Sequence, residues 1–214
     1  MKHFQSEKYN IAWFKLAECV ARGEKERAMG VYRLLSHSLE DQALAAQLKG
    51  DLLLCFNDDS AVEKYCEAAD IYKKSNKAIE AIAVYEHLIF LDPVNETYLL
   101  ELVNLYKEIG IACNMVDHVK TIIDEGKFDL SIQLIDKLSS IIISSEEMRV
   151  REYLIFALLK QKEVPKAIVT DQIKKVVELL ISAEDESLLQ RFLSEVKAVN
   201  RAYYDEICAY IQDK

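Results

Sequence analysis

Ala61-Val62-Glu63-Lys64-Tyr65-Cys66-Glu67-Ala68-Ala69-Asp70-Ile71-Tyr72-Lys73-Lys74, followed after Ser75-Asn76-Lys77 by Ala78-Ile79-Glu80-Ala81-Ile82-Ala83-Val84-Tyr85-Glu86-His87-Leu88-Ile89-Phe90-Leu91-Asp92-Pro93, is the stretch that decides the fold. Tyr65, Ala68, Ala69 and Tyr72 stand at relative positions 0, 3, 4 and 7, which is one face of an α-helix. Ala81, Tyr85 and Leu88 begin 16 residues after Tyr65 and stand at 0, 4 and 7, a second such face. The polar break between them is too short for anything but a reversal, so the two helices fold back on each other. The arrangement recurs over 95–126, where Leu99, Leu102, Val103 and Tyr106 are followed by Gly110, Met115, Val119 and Ile122.

Outward from this centre, apolar residues keep helical spacing almost from end to end. About twelve helices are expected, near 9–22, 24–38, 42–56, 60–74, 76–91, 95–109, 111–125, 128–141, 145–161, 165–182, 184–198 and 200–213. Ser60 with Glu63 and Ser144 with Glu147 read as capping boxes, and Ser182 with Asp185 as a looser one. Asn95 suits an N-cap and Pro165 a first helical turn, while Gly110 and Gly126 stand where a left-handed residue ends a helix. No linker or compositional break divides the chain, so residues 1–214 are expected to form one continuous all-α domain.

Composition agrees. The chain has 5 Gly and 2 Pro, where an average chain of its length carries about fifteen and about ten. Sheets spend those residues on hairpin turns; stacked helices need few of them. At 51% apolar and 29% charged residues it is neither a disordered tail nor a membrane protein by composition. The net charge of −9 repels phosphate backbones and anionic lipid heads, which argues against nucleic acid and membrane as partners. The cysteines (Cys19, Cys55, Cys66, Cys113 and Cys208) are odd in number and lack a C-x-x-C pair. With no apolar run after Met1, they point to a reducing cytoplasm rather than a disulfide scaffold behind a secretory leader.

The helix pair of 61–93 resembles the tetratricopeptide repeat, a 34-residue helix–turn–helix. Ala69 stands where the family's two helices approach closely, Tyr72 fills the gap beside it, Ala81 is the small crossing residue of the second helix and Tyr85 packs between repeats. Leu91-Asp92-Pro93-Val94-Asn95 resembles the family's repeat-ending segment, with Pro93 blocking continuation. Trp13, Leu16, Ala17 and Val20, then Gly23, Ala28, Tyr32 and Leu35, form a further, imperfect copy. Helix 60–74 fits two roles. Paired forward with 76–91 it is a first helix; through Ala61, Tyr65 and Ala68 it fits a second helix paired back to 42–56. Pro93 favours the forward pairing, and helix parity before residue 60 stays open. The repeats are clearest over 60–126 and degenerate over 9–56 and 128–214.

The resemblance implies a right-handed α-α superhelix, a TPR-like solenoid, whose inner groove is lined by the first helix of each pair. On the forward pairing the groove residues are Glu63, Cys66, Asp70, Lys73 and Lys74, then Leu100, Asn104, Lys107 and Glu108. Such a lining suits an extended or helical peptide of a partner protein. Asn104 matches the asparagine of the family's carboxylate clamp, but Asp70 stands where the preceding repeat needs an amide and would repel an acidic tail.

Nothing in the sequence points to catalysis, a metal or a cofactor. His3, His37, His87 and His118 are isolated, without an H-x-x-x-H or E-x-x-H pair, and His87 and His118 read as surface or groove residues. The five glycines are scattered singly, so there is no phosphate-cradling loop, and no nucleophile motif is present. The expectation is a cytoplasmic, non-catalytic adaptor or scaffold. The alternatives are a small acidic chaperone, or a subunit of a larger assembly that uses Ile141-Ile142-Ile143, Val176-Val177 and Leu179-Leu180-Ile181 as core or contact surface.

Overall fold

Long apolar-periodic stretches almost free of proline leave the backbone only one inexpensive way to satisfy its N–H and C=O groups, which is to coil. The computed structural model describes residues 2–93, 95–110, 119, 120, 134, 137, 138, 141, 148–160 and 164–212. Among the described residues there are ten helices and no strand: α1 (Lys2–Ala21), α2 (Lys25–Ser36), α3 (Gln42–Cys55), α4 (Ala61–Lys74), α5 (Ala78–Leu91), α6 (Glu96–Glu108), α7 (Met148–Lys160), α8 (Lys166–Ser182), α9 (Glu186–Val199) and α10 (Arg201–Gln212). The expected helices 111–125 and 128–141 lie largely outside these residues. Most observed ends fall within two residues of the expected ones; α1 begins seven residues earlier, through a stretch with no glycine or proline to stop it. No helix among the described residues is long and apolar enough to cross a membrane.

The caps show which side chains set the ends. Asn95 accepts from the Thr97 N–H at 3.2 Å, as expected. Ser60 does not cap α4; its hydroxyl donates to Asp58 Oδ1 at 2.6 Å, and Asp58 also accepts the Ser60 N–H. At α9, Asp185 rather than Ser182 is the N-cap, accepting from the Leu188 N–H at 2.9 Å, while Ser182 donates back to the Glu178 carbonyl. Pro165 is the residue before α8, not inside its first turn. Ser144 and Gly126 lie outside the described residues. Gly110 has φ +71°, as its place after α6 requires, and Asn57 and Asn76 take the same left-handed conformation after α3 and α4.

The chain divides into two compact units, residues 1–92 and 93–214. In the first, α1 pairs with α2 around Leu16, Ala28, Tyr32 and Leu35, with Leu52 of α3 and the half-buried Trp13 packed against them. Ala28, Tyr32 and Leu35 are the 0, 4, 7 face read from the sequence.

The packing gives α4 both of the partners the sequence offered it. Helix α4 packs on both neighbours, but more extensively on α3 than on α5, and α2 meets α3 only sparsely. Both α3–α4 and α4–α5 are packed pairs, as α1–α2 is. Gly50 shows how tight the α3–α4 contact is: a Cβ there would stand 3.1 Å from the Tyr65 ring. Tyr65, 1% exposed, completes the seam by donating its hydroxyl to Asp51 at 2.6 Å. On the same face as Tyr65, Ala68 and Ala69 are fully buried, as is Ala81 of α5, and these small residues let α4 and α5 approach.

In the second unit the face Leu99, Leu102, Val103 and Tyr106 of α6 is buried. Helix α8 is the centre of a separate cluster, packed by α7, α9 and α10. Its Val169, Ile173, Val176, Val177 and Leu180 meet Ile155, Phe192, Leu193, Val196 and Ile207. Val176, Val177 and Leu180 are thus core; Leu179 packs at its edge, Ile181 is 44% exposed, and Ile142 and Ile143 lie outside the described residues.

Candidate partner-binding surface

Helices α2, α3 and α4 bracket two open hollows of about 430 and 280 Å³ that share Gln42 and Ile71. The smaller is lined by Tyr32 of α2, by Ala45, Ala46 and Lys49 of α3, and by Lys64 and Glu67 of α4. The larger runs over Glu40, Asp41, Ser75 and Lys77. Together they make a strip with Ile71 at its middle and charges of both signs along its rim.

Several of these side chains are fixed by the helices that carry them. Tyr32 crosses from α2 to donate to the Ala45 carbonyl at 2.9 Å, and burial pushes its phenol pKa up. Lys64 pairs with Glu67 at 2.8 Å one turn along α4, which raises its pKa. Tyr72 reaches Gln47 at 3.3 Å.

Asp41 does two jobs. Its Oδ1 caps α3 by accepting from the Ala43 and Leu44 N–H groups, and its Oδ2 holds Lys77 at the start of α5. The Lys77 hydrogen bond, helped by the Leu44 N–H, holds the Asp41 carboxyl below its usual range. Asp58 repeats the device, held well below the carboxylate range by Lys25 and then Ser60. A depressed carboxylate contributes stability above its unfolded pKa of about 3.9, and that stability is lost as pH falls through the folded value. Asp41→Ala is therefore expected to cost about 1 kcal/mol at neutral pH, the worth of an N-cap. It should also flatten the fall in melting temperature between pH 5 and pH 2, read by circular dichroism.

The residues expected to line a groove lie on another side of α4 and on α6. Glu63, Cys66, Asp70, Lys73 and Lys74 do share one side of α4, with Glu63, Asp70 and Lys74 exposed. That side is roughly 100° around the helix from Lys64, Glu67 and Ile71. Lys73 is turned to the α4–α5 seam, its ammonium 5.8 Å from the centre of the Tyr85 ring. In the second unit Leu100 is half-buried, while Asn104, Lys107 and Glu108 are exposed. Lys107 is engaged, donating to the Ile141 carbonyl at 2.6 Å. The hollows instead use Tyr32, Gln42, Lys49, Lys64, Glu67 and Ile71. The backward pairing carried by Ala61, Tyr65 and Ala68 is the sequence signal that leads to them.

His87 differs from its reading as a surface or groove residue. Its ring packs edge-on to Tyr65 at 4.7 Å and stacks with Phe90 at 6.4 Å, with Nε2 shut off from water. Cys19, Cys66 and Cys208 are half-buried free thiols and Cys55 is exposed; Cys113 lies outside the described residues. Among the described residues no group of three His, Cys, Asp or Glu side chains is placed to hold a metal ion.

No protein-family description matches the chain, and no curated protein matches it. Among solved structures it is similar to the MamA RS-1 ArsTM double mutant, with 16% identity over 84% of this chain and 98% of that one and a TM-score of 0.28. It is also similar to a crystal structure of MamA protein, with 15% identity over 85% and 97% and the same TM-score. At that score the likeness carries no argument.

Proposed function

We propose that the chain is a non-catalytic interaction module whose first unit holds an extended or helical segment of a partner protein along the α2–α4 strip. The observation that carries this reading is the pair of hollows meeting at Ile71: an apolar point flanked by Lys49, Lys64, Lys77, Glu40 and Glu67. One anchoring side chain would enter at Ile71 while the charged rim fixes direction and register. The strip stands on a preformed helical hairpin, so binding orders little of the module itself.

In this reading the helix pairs belong to the tetratricopeptide type and continue over residues 1–214 as a right-handed superhelix working in the cytoplasm as an adaptor. The exposed stripe of Glu63, Asp70 and Lys74 is then a second place for the partner to lie. A chaperone needs a broader apolar cradle than a strip with this many charges.

The test is a peptide selection on the full chain followed by affinity measurement. Selected peptides should lose at least tenfold in affinity against Ile71→Glu, with helicity unchanged, and keep their affinity for Asp70→Asn. Loss at Asp70→Asn alone would move the site to the stripe. Unchanged affinity for both variants would remove the first unit as the site.

A further inference from the structure

Two glycines stand inside helices of the first unit, and each costs about 0.5–1 kcal/mol relative to alanine. Gly50 has an internal reason, the Tyr65 ring at 3.1 Å. Gly30, in the middle of α2, has none: a Cβ there would meet nothing within 4 Å. The open space above it belongs to a groove of about 640 Å³ between α1 and α2, on a different face of α2 from the one that carries Tyr32.

The groove has a definite character. Cys19, Val31 and Leu34 give it an apolar floor beside Gly30, and Leu34 is 74% exposed. Upstream on the same side of α1, Ile11 is 53% and Phe14 77% exposed. Four cations line it, Lys15, Arg22, Arg27 and Arg33, against two carboxylates, Glu18 and Glu24. Arg22 pairs with Glu18 at 2.5 Å and Arg27 with Glu24 at 2.7 Å. Among the described residues Lys15 and Arg33 form no ion pair. This is a basic surface on a chain of net charge −9.

We propose that the α1–α2 groove is a second docking site, for an acidic amphipathic helix of a partner protein. Gly30 lets the partner's backbone come close, as small residues do where helices cross at short distance. The incoming apolar stripe covers Val31, Leu34 and Phe14. Carboxylates on its flanks meet Lys15 and Arg33, complementarity that speeds encounter and sets orientation.

The probe is a fluorescein-labelled helical peptide of about 18 residues, with leucine at i, i+4 and i+7 and glutamate on both flanks, titrated into the full chain by anisotropy. Its counterpart carries lysine at every glutamate position. The acidic peptide should bind at least tenfold more tightly than the lysine peptide, and Lys15→Glu with Arg33→Glu should abolish that preference. Gly30→Leu should weaken the acidic peptide at least tenfold without lowering the melting temperature, because leucine favours the helix. Ile71→Glu should leave this binding unchanged, which separates the groove from the α2–α4 strip. Equal binding of the two peptides, binding of neither, or loss on Ile71→Glu would overturn the proposal. So would a dimer in sedimentation velocity that Gly30→Leu dissolves, which makes a second copy the occupant. Retention on phosphatidylserine vesicles that the charge reversals abolish, without peptide binding, would overturn it in favour of a membrane.

Discussion

Tyr65→Ala is expected to lower the stability of the first unit by about 3–5 kcal/mol, the range for truncating a fully buried aromatic ring. The ring fills the space that Gly50 leaves on α3, meets the edge of His87 on α5, and anchors its hydroxyl on Asp51. One truncation thus loosens α4 from both of its neighbours at once. Against a typical domain stability of about 5–15 kcal/mol, that is a large share of the whole. Tyr65→Phe separates the parts: it keeps the packing and gives up only one hydrogen bond to the exposed Asp51, about 1 kcal/mol. The single tryptophan, Trp13, lies in the first unit, so its emission during urea unfolding reports the change there. A Tyr65→Ala protein that unfolds at the wild-type urea midpoint would contradict the α3–α4 hairpin.

Phe192→Ala should do comparable damage in the second unit, again about 3–5 kcal/mol. Phe192 is 0% exposed on α9, its ring 5.7 Å from Phe156 of α7, and it belongs to the cluster organised around α8. Four helices meet at this cluster with no tight glycine seam to collapse into the void, so most of the cavity remains open. Hydrogen exchange should show loss of protection concentrated in α7–α10. Loss confined to α1–α5 would contradict the placement of this core.

Helix positions were legible because period and caps are local properties of sequence. The face of α2 at Ala28, Tyr32 and Leu35, and that of α6 at Leu99, Leu102, Val103 and Tyr106, are buried as their spacing requires. Pairing was not legible, and α4 shows why. A central helix is apolar on two sides, so Tyr65, Ala68, Ala69 and Tyr72 satisfy a forward partner while Ala61, Tyr65 and Ala68 satisfy a backward one. Pro93 marks where a helix must stop, not which neighbour α4 prefers. The closeness of the α3–α4 contact rests on Gly50 and Asp51, whose meaning depends on what stands opposite them. The surface residues inherit the same ambiguity. Reading α4 with α5 gives the lining Glu63, Cys66 and Asp70; reading it with α3 turns that lining by about one residue, to Lys64, Glu67 and Ile71. Asp58 displaced Ser60 as the anchor before α4 for a related reason: it also reaches Lys25, 33 residues away, and no local capping rule registers that.

The strip at Ile71 is the centre of the functional reading, and photo-cross-linking tests it most directly. A benzophenone side chain is placed at position 71 in one variant and at position 205, on the exposed side of α10, in another, each irradiated with a selected peptide. The peptide should be captured from position 71 and not from position 205, with capture competed by unlabelled peptide. Capture from position 205 alone, or equal and uncompeted capture from both, would contradict the functional reading.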